Sequence, residues 1–98
     1  MDTTGMSSKK IGEALAFYRK YFKDLNITIK QHPYVPFAIS NDDVLAHCHW
    51  MTVEAENFLV QGRREKAMRW LCFIQGCIFT LRLYCINELK DHNRPDAV

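Results

Sequence analysis

The residues best able to do chemistry sit in "AHCHW", Ala46 to Trp50. His47, Cys48 and His49 are neighbours in sequence, but successive residues of a helix point about 100° apart and cannot chelate one ion together. Ligands on a helix need a spacing of three or four. Asp43 and His47 have that spacing, and Glu54 follows two turns after His47, with Trp50 between them. The line Asp43, His47, Trp50, Glu54 therefore reads as a carboxylate–imidazole binding edge, with Asp43, His47 and Glu54 as metal or acid–base candidates. The plainer alternative is a boundary histidine bonded to a neighbouring carboxylate beside an interfacial tryptophan. The Glu-x-x-His pattern of ferritin-like metal bundles is absent, and His49 is expected on the solvated side.

A second cluster is cationic. Arg63, Arg64, Lys66 and Arg69 crowd the start of a helix that opens after Gly62. Cations oppose the dipole there, while free N–H groups at a helix start suit a phosphate or other anion. Pairing with Glu65 or with Asp42, Asp43, Glu54 and Glu56 is the alternative. Lys9, Arg19, Lys20 and Lys23 form a basic side on an earlier helix, read as solvated. Without interleaved aromatic residues these charges make a nucleic-acid surface only as a secondary reading.

Four cysteines, Cys48, Cys72, Cys77 and Cys85, invite a disulfide or zinc reading. Cys72 and Cys77 would stand about 140° apart on a helix, which argues for reduced, packed thiols. Cys85 precedes a helix start, near His92. Gly-rich phosphate loops, G-x-S-x-G and H-E-x-x-H motifs and paired Cys-x-x-Cys motifs are absent. No cofactor is expected, and an enzyme is the less favoured class.

The elements that must position these residues are helical. Ile11, Leu15, Tyr18, Phe22 and Leu25 recur every three or four positions, giving a helix over 8–25 with one buried seam. Residues 26–40 carry two prolines and no helical period. They read as a connector, anchored by Ile27, Ile29, Tyr34, Val35 and Phe37, with a short strand at 27–30 as a further option. Ser40 or Asn41 caps a second helix whose stripe is Val44, Cys48, Met51, Ala55 and Phe58, ending at Gly62. The third helix, from Arg63 or Arg64, has a main stripe of Ala67, Leu71, Ile74, Ile78, Leu81 and Cys85. Beside it runs Trp70, Phe73, Cys77 and Tyr84, and Met68, Cys72 and Phe79 lie opposite. A break near 83–85 and a short fourth helix from Ile86 to about His92 follow, with one continuous helix as the competing reading. Cys85 stands where Ser or Thr would complete a capping box with Glu88.

The 98 residues make one domain, 1–98, in which 1–6 are expected to be disordered or vector-derived, with Met6 a plausible natural start. A chain this short buries roughly 60–68% of its unfolded surface. With 48% hydrophobic and 24% charged residues it has the composition of a folded soluble domain, and a net charge of +2 does not by itself imply nucleic acid. The N-terminus lacks the apolar segment of a secretory signal. No run approaches the roughly 20 apolar residues of a membrane span, so a cytoplasmic setting is expected.

The predicted fold is all-α: a small antiparallel bundle of three main helices plus a short C-terminal one, with the third helix central. That helix is apolar on almost every side, which normally means burial on every side. Two partner helices and a connector cannot cover it, so a homo-oligomer follows, most simply a C2 dimer. Trp70, Phe73, Gly76, Cys77 and Phe79 are its candidate interface. Gly76 at mid-helix is explained by close approach of another helix, and Gln75 and Arg82 by specification of interface register.

The stretch "WMTVEAENFLVQGRREKAMRWLCFIQGCIF" with "INELKDHNRP" resembles small proteins encoded by bacteriophages and prophages. The likeness covers the C-terminal half and rests on Trp50-Met51, Gly62-Arg63, Glu65-Lys66-Ala67, Arg69-Trp70-Leu71, Phe73-Ile74-Gln75-Gly76, Glu88-Leu89-Lys90 and His92-Asn93. It implies a short helical accessory protein and carries no activity with it. The functional expectation is a homo-oligomeric interaction protein that binds a host or viral protein. The contact would use the basic face at Arg63, Arg64, Lys66 and Arg69 or the line His47, Trp50, Glu54. The alternatives are a nucleic-acid or nucleotide binder and, less favoured, a metal-dependent enzyme.

Overall fold

Helices end where the chain can afford a left-handed residue, and three helices here end in the same way. A computed structural model describes residues 6–32 and 39–94. It contains α1 (Ser8–Asp24), α2 (Asn41–Val60), α3 (Arg64–Thr80) and α4 (Ile86–Asn93), and no strand among the described residues. Asn26, Gly62 and Arg82 take positive φ one residue beyond the C-caps of α1, α2 and α3. In each case two reversed backbone hydrogen bonds close the last turn: Ile27 N to Phe22 O at 2.9 Å, Arg63 N to Phe58 O at 2.8 Å and Leu83 N to Ile78 O at 3.0 Å are the longer loops. These are Schellman endings. The one after α3 settles the competing readings in favour of a break.

Helix starts are equally local. Ser7 Oγ accepts from Lys10 N at 3.0 Å. Ser40 and Asp43 form a reciprocal capping box at 3.0 and 3.1 Å. At α4, Cys85 occupies the N-cap and its N–H donates to Glu88 Oε1 at 2.9 Å.

Packing follows the seams. Ile11, Leu15, Tyr18 and Phe22 of α1 are buried against Cys48, Met51, Ala55 and Phe58 of α2, and Ala67, Leu71, Ile74 and Ile78 of α3 are fully buried. Phe22 meets His49 and Arg19 pairs with Glu56, so α1 and α2 run antiparallel. Phe58 meets Trp70, while Asn41 and Val44 share a groove with Cys77 and Leu81, so α2 and α3 also run antiparallel. The most extensive helix contact is α2 with α3, followed by α1 with α2.

Several expectations need correction. Met6 is not frayed: it is 3% exposed, belongs to the core, and its carbonyl accepts from the Arg64 guanidinium. Leu25, at the end of the first seam, is exposed because the helix has already turned away, and Ile29 is exposed as well. Ile27 anchors the connector, while Tyr34, Val35 and Phe37 lie outside the described residues. Cys85 leaves the main stripe of α3 because the break precedes it, and it is exposed. The largest difference is α3 itself, which one chain buries along one side only.

Candidate functional site

The outer side of α3 centres on Gly76. Phe73 is 55% exposed and Phe79 48% exposed, to either side of it. A Cβ built on Gly76 would meet nothing within 4 Å. The expected close approach of another helix is therefore absent among the described residues. Thr80 Oγ1 donates back to Gly76 O at 2.8 Å. Asn41, Val44, Phe73, Gly76, Cys77, Thr80 and Leu81 line an open groove of about 520 Å³ between the start of α2 and the end of α3. Exposed single apolar residues are ordinary, but Phe73 lines this groove while Phe79, further along the helix, lines a second depression with Leu83 and Tyr84, so both exposed rings stand on the outer side of α3.

Trp70 and Cys77, also expected at an interface, are partly used internally. Trp70 packs on Trp50 at 5.6 Å and edge-on against Phe58 at 4.8 Å. Trp50 in turn lies 5.3 Å from His47. The aromatic side chains thus form a seam between α2 and α3, which explains two tryptophans without any ligand. Cys77 is half-buried and lines the groove beside Leu81.

The Asp43–His47–Glu54 line does not converge on an ion. Asp43 is committed to the α2 capping box, and its hydrogen bonds with Ser40 hold the carboxyl below its ordinary value. His47 Nδ1 accepts from His32 N–H at 3.1 Å, and partial burial, then the neighbouring His32, lowers the imidazole. His32 Nε2 stands 3.7 Å from Asp43 Oδ1. Among the described residues, no group of three His, Cys, Asp or Glu side chains could hold a metal ion. His49 reverses its expectation. It is 4% exposed, and its Nδ1–H donates to Ile27 O at 2.9 Å, pinning the connector onto α2.

The cationic cluster stays together but is only partly free. Gly62, Arg63, Arg64, Glu65, Lys66 and Arg69 line a depression of about 500 Å³. Arg63 is the N-cap and offers no side-chain hydrogen bond to the helix start. Arg64 is spent on the Met6 carbonyl. The Arg63 guanidinium lies 5.0 Å from the Phe58 ring and Lys66 Nζ 4.6 Å from it. Such cation–π contacts offset the unfavourable placement of charge on the dipole. Among the described residues no carboxylate pairs with Arg63, Lys66 or Arg69, so the expected pairing with α2 is not made within the chain.

Sequence reasoning missed a polar network at the base of α4. Gln75, expected to set interface register, is fully buried. Its Nε2 donates to Tyr18 Oη at 3.0 Å and to Asn93 Oδ1 at 2.7 Å, while its Oε1 accepts from Asn93 Nδ2 at 2.9 Å. Tyr18 Oη is 2.6 Å from His92 Nδ1. Both hydrogens of the Gln75 amide are used, so the satisfied arrangement has Tyr18 O–H donating to a neutral His92. The only sequence signal was a glutamine on the apolar stripe of α3. Arg82, its supposed companion, lies past the end of the helix.

No helix among the described residues is long and apolar enough to cross a membrane. No family model, curated protein or solved structure matches the chain.

Proposed function

We propose that the protein is a homodimeric helical interaction protein that pairs through the outer face of α3. The observation that carries this reading is Gly76, open to solvent between exposed Phe73 and Phe79 on an otherwise helix-favouring segment. A mid-helix glycine costs about 1 kcal/mol relative to alanine, and no neighbour among the described residues requires it. A second copy fits this face by charge as well as by shape. Lys66 and Arg69 flank its α3-start end, and Asp42 and Asp43 follow Asn41 at the other end of the groove. A two-fold axis near Gly76 sets two α3 helices antiparallel and brings each basic end towards the partner's acidic end.

The likeness of residues 50–93 to small bacteriophage and prophage proteins supports an accessory role in which the dimer binds a host or viral protein. Analytical ultracentrifugation over a micromolar concentration series tests the dimer. Expected are a dimer for the native sequence and a monomer for Gly76→Leu and for Phe73→Glu, both retaining helicity. A monomeric native protein across that range removes the reading.

The second reading is an anion or nucleic-acid binder. Its support is the unpaired cations around the uncapped start of α3. Against it, Lys66 covers the Phe58 face that a base would need for stacking. Such binding weakens steeply with salt as counterions are released. Absent or salt-independent binding to DNA, RNA and nucleotides eliminates it.

A further inference from the structure

The hydrogen bonds that hold α4 to the bundle leave one place for the Tyr18 phenol hydrogen. Gln75 and Asn93 pair amide to amide, with Gln75 Nε2 donating to Asn93 Oδ1 at 2.7 Å and Asn93 Nδ2 donating to Gln75 Oε1 at 2.9 Å. The second Gln75 amide hydrogen goes to Tyr18 Oη at 3.0 Å. The phenol, already accepting, sends its own hydrogen to His92 Nδ1, 2.6 Å away. Tyr18 and Gln75 are fully buried and Asn93 is 3% exposed, so a bond lost here is not replaced by bulk solvent.

We infer that α4 is an acid-released latch: a proton on His92 Nδ1 breaks the bond from Tyr18 and frees α4 from α1 and α3, while the three longer helices stay folded. With that proton in place, ring and phenol both present hydrogens along the same short line. Letting the ring donate instead strands the phenol hydrogen, unless the Gln75 and Asn93 amides turn over together inside a packed interior. What then remains to hold α4 is Leu89 and the amide pair. An eight-residue helix is not stable on its own.

The fold supplies a hinge. α3 closes its last turn with its own backbone, Leu83 N to Ile78 O at 3.0 Å with Arg82 at positive φ, and α4 takes no part in it. The extensive packing of α2 with α3 and of α1 with α2 also lies outside α4. Opening therefore uncovers Tyr18 and Gln75 without unwinding the bundle. The latch is read on one chain and does not depend on dimerisation.

The groups that act on His92 come from α1, the α3–α4 loop and α4 itself. Burial, helped by the Phe17 and Tyr84 rings at 4.5 and 4.8 Å, holds the imidazole below its ordinary value. Glu88 and Asp91 of α4 oppose that shift, and Lys10 of α1 adds to it. Asp91 is itself paired with Arg94, and Lys10 lies 3.8 Å from Glu13. Burial raises the Tyr18 and Tyr84 phenols, which stay neutral throughout. A released ring returns to about 6.5, so opening grows as pH falls below that value, by up to about tenfold per pH unit.

The experiment is amide hydrogen exchange of the full-length native protein by NMR, corrected for the intrinsic pH dependence of exchange, with the His92 ring titrated on the same samples. Between about pH 7.5 and about pH 5, protection of Leu89 to Asn93 should fall by up to about tenfold per unit once His92 takes up its proton. Protection of buried Leu15 and Leu71 should fall less. His92→Gln, which offers Tyr18 an acceptor that does not titrate, should make α4 protection independent of pH. If that variant never docks α4, the native protein still decides. Exchange of α4 in step with Leu15 and Leu71 means global unfolding and overturns the latch. So does unchanged α4 protection after His92 has titrated, or a His92 ring that stays neutral while α4 opens.

Discussion

Tyr18 of α1 and His92 of α4 share a 2.6 Å hydrogen bond across 74 positions of sequence. Through Tyr18 the bond continues to Gln75 of α3 and from there to Asn93 of α4. An eight-residue helix cannot hold itself together in water. What fastens α4 is Leu89, fully buried, and this amide–phenol–imidazole chain. The aromatic rings of Phe17 and Tyr84 lie 4.5 and 4.8 Å from the His92 ring and keep it partly dry.

Gln75 takes part in three of the four bonds of this network and Tyr18 in two, so losing Gln75 should cost more. Gln75→Leu leaves the buried Asn93 amide without its partner and the Tyr18 hydroxyl with His92 alone. A buried polar group left unsatisfied costs about 1–3 kcal/mol. Tyr18→Phe removes the group that links Gln75 to His92 and should cost about 1–2 kcal/mol on the same grounds. Urea unfolding followed by circular dichroism measures both, and Gln75→Leu should show the larger loss.

The same network makes stability depend on pH. Burial holds the His92 imidazole below its ordinary value; Glu88 and Asp91 oppose that shift and Lys10 adds to it. His47 is lowered by burial and then by His32. A lowered folded value means that the unfolded chain takes up protons first as pH falls through about 6.5. Stability should therefore be full above about pH 7 and decline towards pH 5. Thermal melts across that range should show the decline, and His92→Gln should flatten it, leaving the His47 part. Asp43 and Glu88, whose cap hydrogen bonds lower them, add a separate loss only in stronger acid.

Arg82 carries positive φ at the Schellman position after α3, where the other two helices use Asn26 and Gly62. A side chain in that region costs roughly 1–2 kcal/mol, which glycine avoids. Arg82→Gly should raise the unfolding free energy by about 1 kcal/mol. A loss of stability would mean that the Arg82 side chain holds the α3–α4 loop.

Gly76→Ala separates folding from assembly. Its Cβ enters open space, so the isolated chain should gain about 1 kcal/mol of helix stability. Dimer affinity should fall if two α3 helices approach closely at this point. Denaturation at low concentration reads the first effect, and sedimentation at high concentration reads the second.

Helix positions were legible in the sequence because their causes are local. The three-and-four spacing from Ile11 to Phe22, the Ser40–Asp43 cap and Gly62 each act within one or two turns. Even the break after α3 announced itself through Cys85 and Glu88. The site was less legible. His49 has the same local pattern as any solvated histidine, and only the folding back of Ile27 makes it a buried donor. Asp43 and His47 had ligand spacing, but a cap and a connector backbone claimed them first.

The apolar excess of α3 was determined by sequence alone, as was the presence of more hydrophobic surface than three short helices can enclose. Which side stays open was decided by the tertiary structure, because α1 and α2 approach Leu71, Ile74 and Ile78 and leave Phe73, Gly76 and Phe79 outside. Only the fold could bring Gln75 to Tyr18 and Asn93. Partners that far apart in the chain leave no periodic trace, since their contact depends on how helices pack rather than on how each one forms.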